Sequence, residues 1–277
     1  MRHNLFPASM LLASLLLAAC AGTAPVAETD AVPEIHPGVL QGYLPLDTPL
    51  RSVEVVPPAP QAGSARQALD EALAARALTL RNTPRWELAR QDAQLRFPEA
   101  EGTFSCATGL PISEQVTPRL YMLLRRTVAD LAFAANSAKN AYQRPRPFMV
   151  NNQPICSPED ETSLRENGSY PSGHTAIGWG WALILAELIP ENAEAILARG
   201  RAFGESRSVC NVHWHSDIVA GRMIGAAALA SLHGNAAFAT AMAGAREELA
   251  ALDRTNLTPS RDCAAEASAL AQTYFSE

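Results

Sequence analysis

The run from Thr175 to Ile189 does most to narrow what this chain can fold into. It is apolar, carries no charge before Glu187, has helix length, and is stopped by Pro190. Immediately ahead of it stands Gly168-Ser169-Tyr170-Pro171-Ser172-Gly173-His174, which supplies turn residues, a hydroxyl and an imidazole. Pro171 and Gly173 permit a tight turn with close backbone approach. The helix that follows leaves unpaired backbone N–H groups beside Ser172 and His174, which suits a phosphate-like anion. Pro-Ser-Gly alone is an ordinary turn, so the rest of the chain has to decide.

Helical patterns dominate that remainder. Ser64 to Arg81 and Thr83 to Leu95 are rich in Ala, Leu and Arg, with Ser64 and Thr83 as caps and Pro84 at a first helical position. From Thr117 to about Tyr142 the same Thr-Pro device opens an amphipathic pattern with Leu120, Leu123, Leu124, Val128, Leu131 and Ala135 on one face. A polar, proline-containing loop spans Arg144 to Gly168. Beyond the apolar run, helices are expected over about Glu191–Gly204, His213–His233, Asn235–Leu252 and Ser260–Tyr274. The second of these carries Gly221, Gly225 and Ala226 to Ala228, small enough for close helix packing. Nothing alternates with period two and no repeat is apparent, so 63–277 reads as a single compact all-α domain.

The amino terminus reads as a leader. One Arg, an apolar stretch from Met10 to Ala19 and small residues before Cys20 make 1–19 a secretory signal, too short to span a bilayer. Leu17-Ala18-Ala19-Cys20 resembles the bacterial lipobox, which makes Cys20 a lipidated mature terminus; ordinary signal cleavage nearby is the alternative. Ala21 is not the Asp that retains such proteins at the inner membrane, which points to an outer-membrane anchor facing the periplasm. Residues 20–62 are proline-rich and read as an extended tether. Four cysteines remain, Cys106, Cys156, Cys210 and Cys263, suited to two disulfides in an oxidising compartment, with three pairings possible. The formal net charge of −6 argues against a nucleic-acid partner.

Among 22 basic side chains Lys139 is the only lysine, in Lys139-Asn140-Ala141-Tyr142-Gln143-Arg144-Pro145-Arg146-Pro147. A compact ammonium on a flexible stem offers a phosphate a point charge that a planar fork does not. Arg207 could hold two non-bridging phosphoryl oxygens through its fork. His213 and Asp217 stand i and i+4: on one helical face the carboxylate would hold one imidazole nitrogen and leave the other free as base or nucleophile. An isolated His–Asp spacing also suits a merely structural pair.

Taken together, Lys139, six residues, Arg146-Pro147, then Pro171 to His174, then Ser206-Arg207, five residues, His213, three residues, Asp217 form one ordered pattern. It resembles the superfamily of type 2 phosphatidic acid phosphatases and vanadium haloperoxidases. Gly168 to Thr175 looks most like the signature of bacterial class A non-specific acid phosphatases. The resemblance runs from about Gly42 to about Leu249 and implies an all-α fold of that kind. It further implies in-line attack by His213 on phosphorus, with Asp217 steadying the ring, and a phosphohistidine intermediate. Lys139, Arg146, Arg207, Ser172 and the Gly173 amide would bind the phosphoryl oxygens, and His174 would act as general acid and then base. With His213 neutral and His174 initially protonated, a bell-shaped pH profile is expected, with an optimum at about pH 5–6.5.

No cofactor is expected and small phosphorylated molecules are the expected partners. Membrane contact is expected only through Cys20, and a homo-oligomer is left open. His213-Trp214-His215 could bind zinc, but no third ligand stands at a matching spacing, and Trp179, Trp181 and Trp214 read as core or pocket-wall aromatics. The competing functions are a lipid phosphate phosphatase, a vanadate-dependent haloperoxidase, and an anion-binding lipoprotein without turnover.

Overall fold

Hydroxyl, amide and carboxylate side chains cap several helices of the computed structural model, which describes residues 1, 32–47 and 49–275. The leader and Cys20 lie outside the described residues. In chain order the principal helices are α1 (Ala65–Leu78), α2 (Pro84–Gln91), α3 (Pro118–Phe133), α4 (Asn136–Tyr142), α5 (Gly173–Leu188), α6 (Ala193–Val209), α7 (His215–His233), α8 (Ala236–Ala251) and α9 (Cys263–Leu270). Ser64 Oγ accepts from the Gln67 amide at 3.2 Å, Asn235 Oδ1 from Phe238 at 3.0 Å, and Asp262 from the amides of Ala264 and Ala265. Pro84 and Pro118 begin α2 and α3, where a missing N–H costs nothing. The fold is all-α; the described strands are one short antiparallel pair, Glu34–His36 with Val39–Leu40.

Pro33–Glu277 makes one compact unit, and α5 is its axis. It packs against α6, α7 and α3, burying Ile177, Trp181, Ile184 and Leu185. Helix α7 approaches closely: a Cβ on Gly221 would stand 2.6 Å from the Ser172 carbonyl oxygen, and one on Gly225 2.6 Å from that of Ala176. Only glycine permits this contact, and it fixes the start of α7 against the start of α5.

The amphipathic pattern expected to run from Thr117 to Tyr142 divides at Ala134–Ala135 into α3 and α4. The break falls where the proline-rich segment docks. Asp130 accepts from the amides of Tyr43 and Leu44 at 2.9–3.1 Å. Ser137 Oγ meets Ser52 Oγ at 2.9 Å and accepts from the Val53 amide. From Pro33 onward the expected tether therefore lies along the domain. Tyr43 and Val56 enter the core, and the Tyr170 hydroxyl donates to the Pro57 carbonyl at 2.7 Å. Prolines leave that stretch few ladder partners, and helix side chains satisfy its amides instead.

Two disulfides select one of the three pairings. Cys106–Cys263 ties α9 to the turn before α3, and Cys156–Cys210 ties the loop after Arg146 to the end of α6. Their Cα separations of 5.4 and 4.7 Å suit bonded cysteines. Non-reducing peptide mapping should recover these two links, and removing either should lower the unfolding free energy by about 2–5 kcal/mol in urea titrations. Recovery of Cys106 joined to Cys156 or Cys210 would contradict the arrangement.

Candidate active site

The turn before α5 and the turn before α7 meet to form the site. Ser172 is the N-cap of α5, its Oγ accepting from the Thr175 amide at 3.2 Å and from Thr175 Oγ1 at 2.9 Å. Its own hydroxyl hydrogen stays available to donate outward. The Ser172 amide donates to the Asp217 carbonyl at 3.0 Å, so the two turns are joined by backbone. The amides that open α5 at Gly173 and His174 belong to the unpaired first turn of a helix.

Three cations converge here. Arg207, fully buried on α6, makes no hydrogen bond to any described residue through Nε, Nη1 or Nη2. Burial pulls its guanidinium down to about 10 against weak support from Asp160 and Asp92. Arg146, also buried, is anchored by donating to the carbonyls of Leu164 at 2.8 Å and Val212 at 3.0 Å and to Asn167 Oδ1. Lys139 sits on α4, beyond the break in the α3–α4 pattern, and its Nζ donates to the Gly168 carbonyl at 2.8 Å. Burial, reinforced by the Arg146 charge, lowers the Lys139 ammonium to about 7. A buried guanidinium with no partner is costly, and an oxyanion that accepts two or three of its hydrogens removes the cost.

His213 precedes α7 rather than lying within it, because Asp217 accepts from the Trp214 amide at 2.8 Å and caps the helix start. Its Nδ1 is 3.4 Å from Asp217 Oδ2, and its Nε2 is 3.1 Å from Arg146 Nη1. A guanidinium can only donate, so Nε2 is assigned as the unprotonated nitrogen and Nδ1–H points to the carboxylate. Burial, then Arg146, Lys139 and Arg207, hold the imidazole well below its ordinary value, leaving a neutral ring with a free lone pair beside the cations.

His174 Nε2 is 3.0 Å from the Ala93 carbonyl and is assigned as the donor, so Nδ1 is the nitrogen free to exchange a proton. Burial and Arg207 push this ring well below 6.5 too. This corrects the expectation that His174 starts protonated near its reference value: in the protein alone the buried ring is neutral near neutral pH.

The residues expected around the phosphate lie together, namely Lys139, Arg146, Ser172, Gly173, His174, Arg207, His213 and Asp217, while Cys20 is outside the described residues. His215 stands apart, its ring packed edge-on to Phe275 at 5.1 Å, so the His-x-His pair is split between two environments. Trp181 is core and donates to the Leu124 carbonyl at 3.0 Å, while Trp214 donates to Pro145 at 2.8 Å and walls the site. The sequence reading missed Arg144, Asp70, Asn167 and the Ala93 carbonyl. The first stood inside the Arg-Pro-Arg-Pro run, while the others carry no spacing signal, being brought in by tertiary contact.

With this geometry in hand, similarity to known proteins is informative. Residues 120–241 match the PAP2 superfamily. A non-specific acid phosphatase of Providencia stuartii is 41% identical over 213 residues, covering 76% of this chain and 86% of that protein. An acid phosphatase of Zymomonas mobilis is 44% identical over 192 residues, 69% of this chain and 73% of the relative. A non-specific acid phosphatase of Salmonella typhimurium is 38% identical over 222 residues, 79% and 88% of the two chains. The helical fold is thus that of the PAP2 superfamily. Within it, the chain belongs to the family of non-specific acid phosphatases.

Lys139 provides a direct test of the cradle. Sulfate stays a dianion across the neutral range, so only the protein's protons change. Calorimetric sulfate binding should be tightest below about pH 7 and weaken above it, by up to about tenfold per pH unit, as the ammonium loses its proton. Lys139→Met should bind sulfate weakly with a flattened pH dependence. An affinity for the unmodified protein that is flat between about pH 6 and 8.5 would contradict this.

Proposed function

We propose that this chain hydrolyses phosphomonoesters without a metal, through a phosphohistidine on His213, with His174 carrying the proton. Family membership supplies the phosphatase activity; the residue roles, the intermediate and a broad substrate range that includes nucleotides and sugar phosphates are our reading. The observation that carries it is the buried Arg207 guanidinium, all of whose nitrogens lack a partner among the described residues. A phosphoryl group satisfies it, with Arg146, Lys139, the Ser172 hydroxyl and the Gly173 amide taking the remaining oxygens.

A phosphomonoester loses its second proton near pH 6, so the monoanion brings a proton that passes to His174 Nδ1. His213 Nε2 then forms a bond to phosphorus as the P–O ester bond breaks, and the departing alkoxide takes the proton from His174. Positive charge on the phosphorylated ring is offset by Asp217. In the second half, His174 accepts a proton from water, the resulting hydroxide attacks phosphorus, the P–N bond breaks, and neutral His213 returns. Rate therefore falls above about pH 6 as substrate monoanion disappears, keeping the optimum at about pH 5–6.5 although both rings sit low in the protein alone.

The mature domain is read as facing the periplasm, with Cys20 as a lipid anchor at the outer membrane. Support comes from the leader sequence, two disulfides and the Gram-negative origin of the relatives. Among the described residues no helix is long and apolar enough to cross a membrane.

The test uses protein beginning after Cys20 and a chromogenic aryl phosphate at mildly acid pH with EDTA. Turnover should survive the chelator, stop with vanadate, and vanish in His213→Ala. His174→Ala should impair alkyl phosphates far more than aryl phosphates, whose leaving groups need less protonation. Activity lost to EDTA and restored by zinc, or retained in His213→Ala, would overturn the mechanism.

A further inference from the structure

Asp217 is held more firmly by residues outside the expected constellation than by the histidine it serves. Arg144 Nη1 donates to Asp217 Oδ1 at 2.7 Å, against 3.4 Å between Asp217 Oδ2 and His213. The same guanidinium turns its other face to α1: Nη2 donates to Asp70 Oδ2 at 2.7 Å and to Gln67 Oε1. Asp70 also accepts from the Ser216 amide at 2.8 Å and from the Ser216 hydroxyl, which clamps the first turn of α7. All three charged side chains are buried, exposed by 7% for Arg144, 1% for Asp70 and 0% for Asp217.

We propose that Arg144 and Asp70 are a positioning pair that keeps Asp217 ionised and aimed at His213, so that the nucleophile depends on a helix outside the 120–241 superfamily match. The inference rests on the nucleophilic role of His213 given above.

Each carboxylate has a distinct part. Burial alone drives Asp217 toward its neutral form, and Arg144 is the largest force opposing it, followed by the Trp214 amide and Ser169. On the far side stand Lys139 and Arg146, which also feel the Asp217 charge. Were Arg144 paired with Asp217 alone, its field would cancel the negative charge that the developing imidazolium requires. Asp70 takes the second edge of the fork, leaving the Arg144–Asp70–Asp217 group with one net negative charge facing His213. The planar guanidinium is essential because one rigid fork spans both carboxylates, which a lysine point charge does not.

The test separates transition-state loss from loss of fold or binding. Asp70→Asn and Arg144→Lys are compared with the wild type for kcat on an aryl phosphate, inhibition by inorganic phosphate and thermal midpoint. Asp70→Asn should lower kcat by roughly 10- to 100-fold, the range usual for partners that orient a reacting group's ligand. Its phosphate inhibition constant should change less than about threefold, because Lys139, Arg146 and Arg207 are untouched. Arg144→Lys should lose at least as much, with no rescue by the retained charge; should it not fold, Asp70→Asn decides alone. Full kcat in folded Asp70→Asn would overturn the proposal, as would parallel loss of kcat, phosphate binding and thermal midpoint. An inactive wild type, or an active His213→Ala, would instead remove the underlying mechanism.

Discussion

Uncompensated positive charge inside an apolar shell is the constraint on which the site depends. Arg207 is buried with no hydrogen-bond partner among the described residues, Arg146 and Lys139 stand nearby, and the charge of buried Asp217 reaches both of these. Burial first, and then the neighbouring cations, oppose protonation here: Lys139 falls to about 7, and both imidazoles fall well below 6.5. Burial and the same cationic field keep His213 neutral, as the proposed nucleophile requires, and the field also attracts an oxyanion, so in this proposal one arrangement serves binding and reactivity together.

The scaffold answers by rigidity. Gly221 and Gly225 let α7 lie against the start of α5, and the Ser172 amide bonds the Asp217 carbonyl across that contact. Cys156–Cys210 fastens the stretch between Arg207 and His213. Asp92 receives Arg199 and Ser206, next to Arg207, while the adjacent Ala93 carbonyl holds His174. The cations therefore cannot relax apart before substrate arrives, which is the preorganisation that such stabilisation requires.

Legibility in the sequence followed the range of the interactions. Helix starts marked by Ser64, Pro84 and Pro118 were readable because capping is local. The residues proposed to bind and react with the phosphoryl group could be picked out together because they fall in three short blocks of fixed spacing. The division at Ala134–Ala135 was not, since it depends on Asp130 and Ser137 bonding a segment some 85 residues earlier. His213 was expected on the helix; instead Asp217 spends one oxygen on the Trp214 amide, and the ring sits just before the first turn. Asp70 and the Ala93 carbonyl gave no signal, because nothing in an amphipathic or loop pattern distinguishes a side chain or carbonyl that meets a distant turn.

The central claim is that Nε2 of His213 forms a covalent bond to phosphorus during turnover. Rapid alkaline quench of the enzyme with a 32P-labelled monoester, followed by peptide mapping, tests it most directly. The account predicts an acid-labile, alkali-stable phosphoryl group on the peptide bearing His213, absent in His213→Ala. Turnover with no protein-bound phosphate on the reaction timescale, or label on another residue, would contradict it.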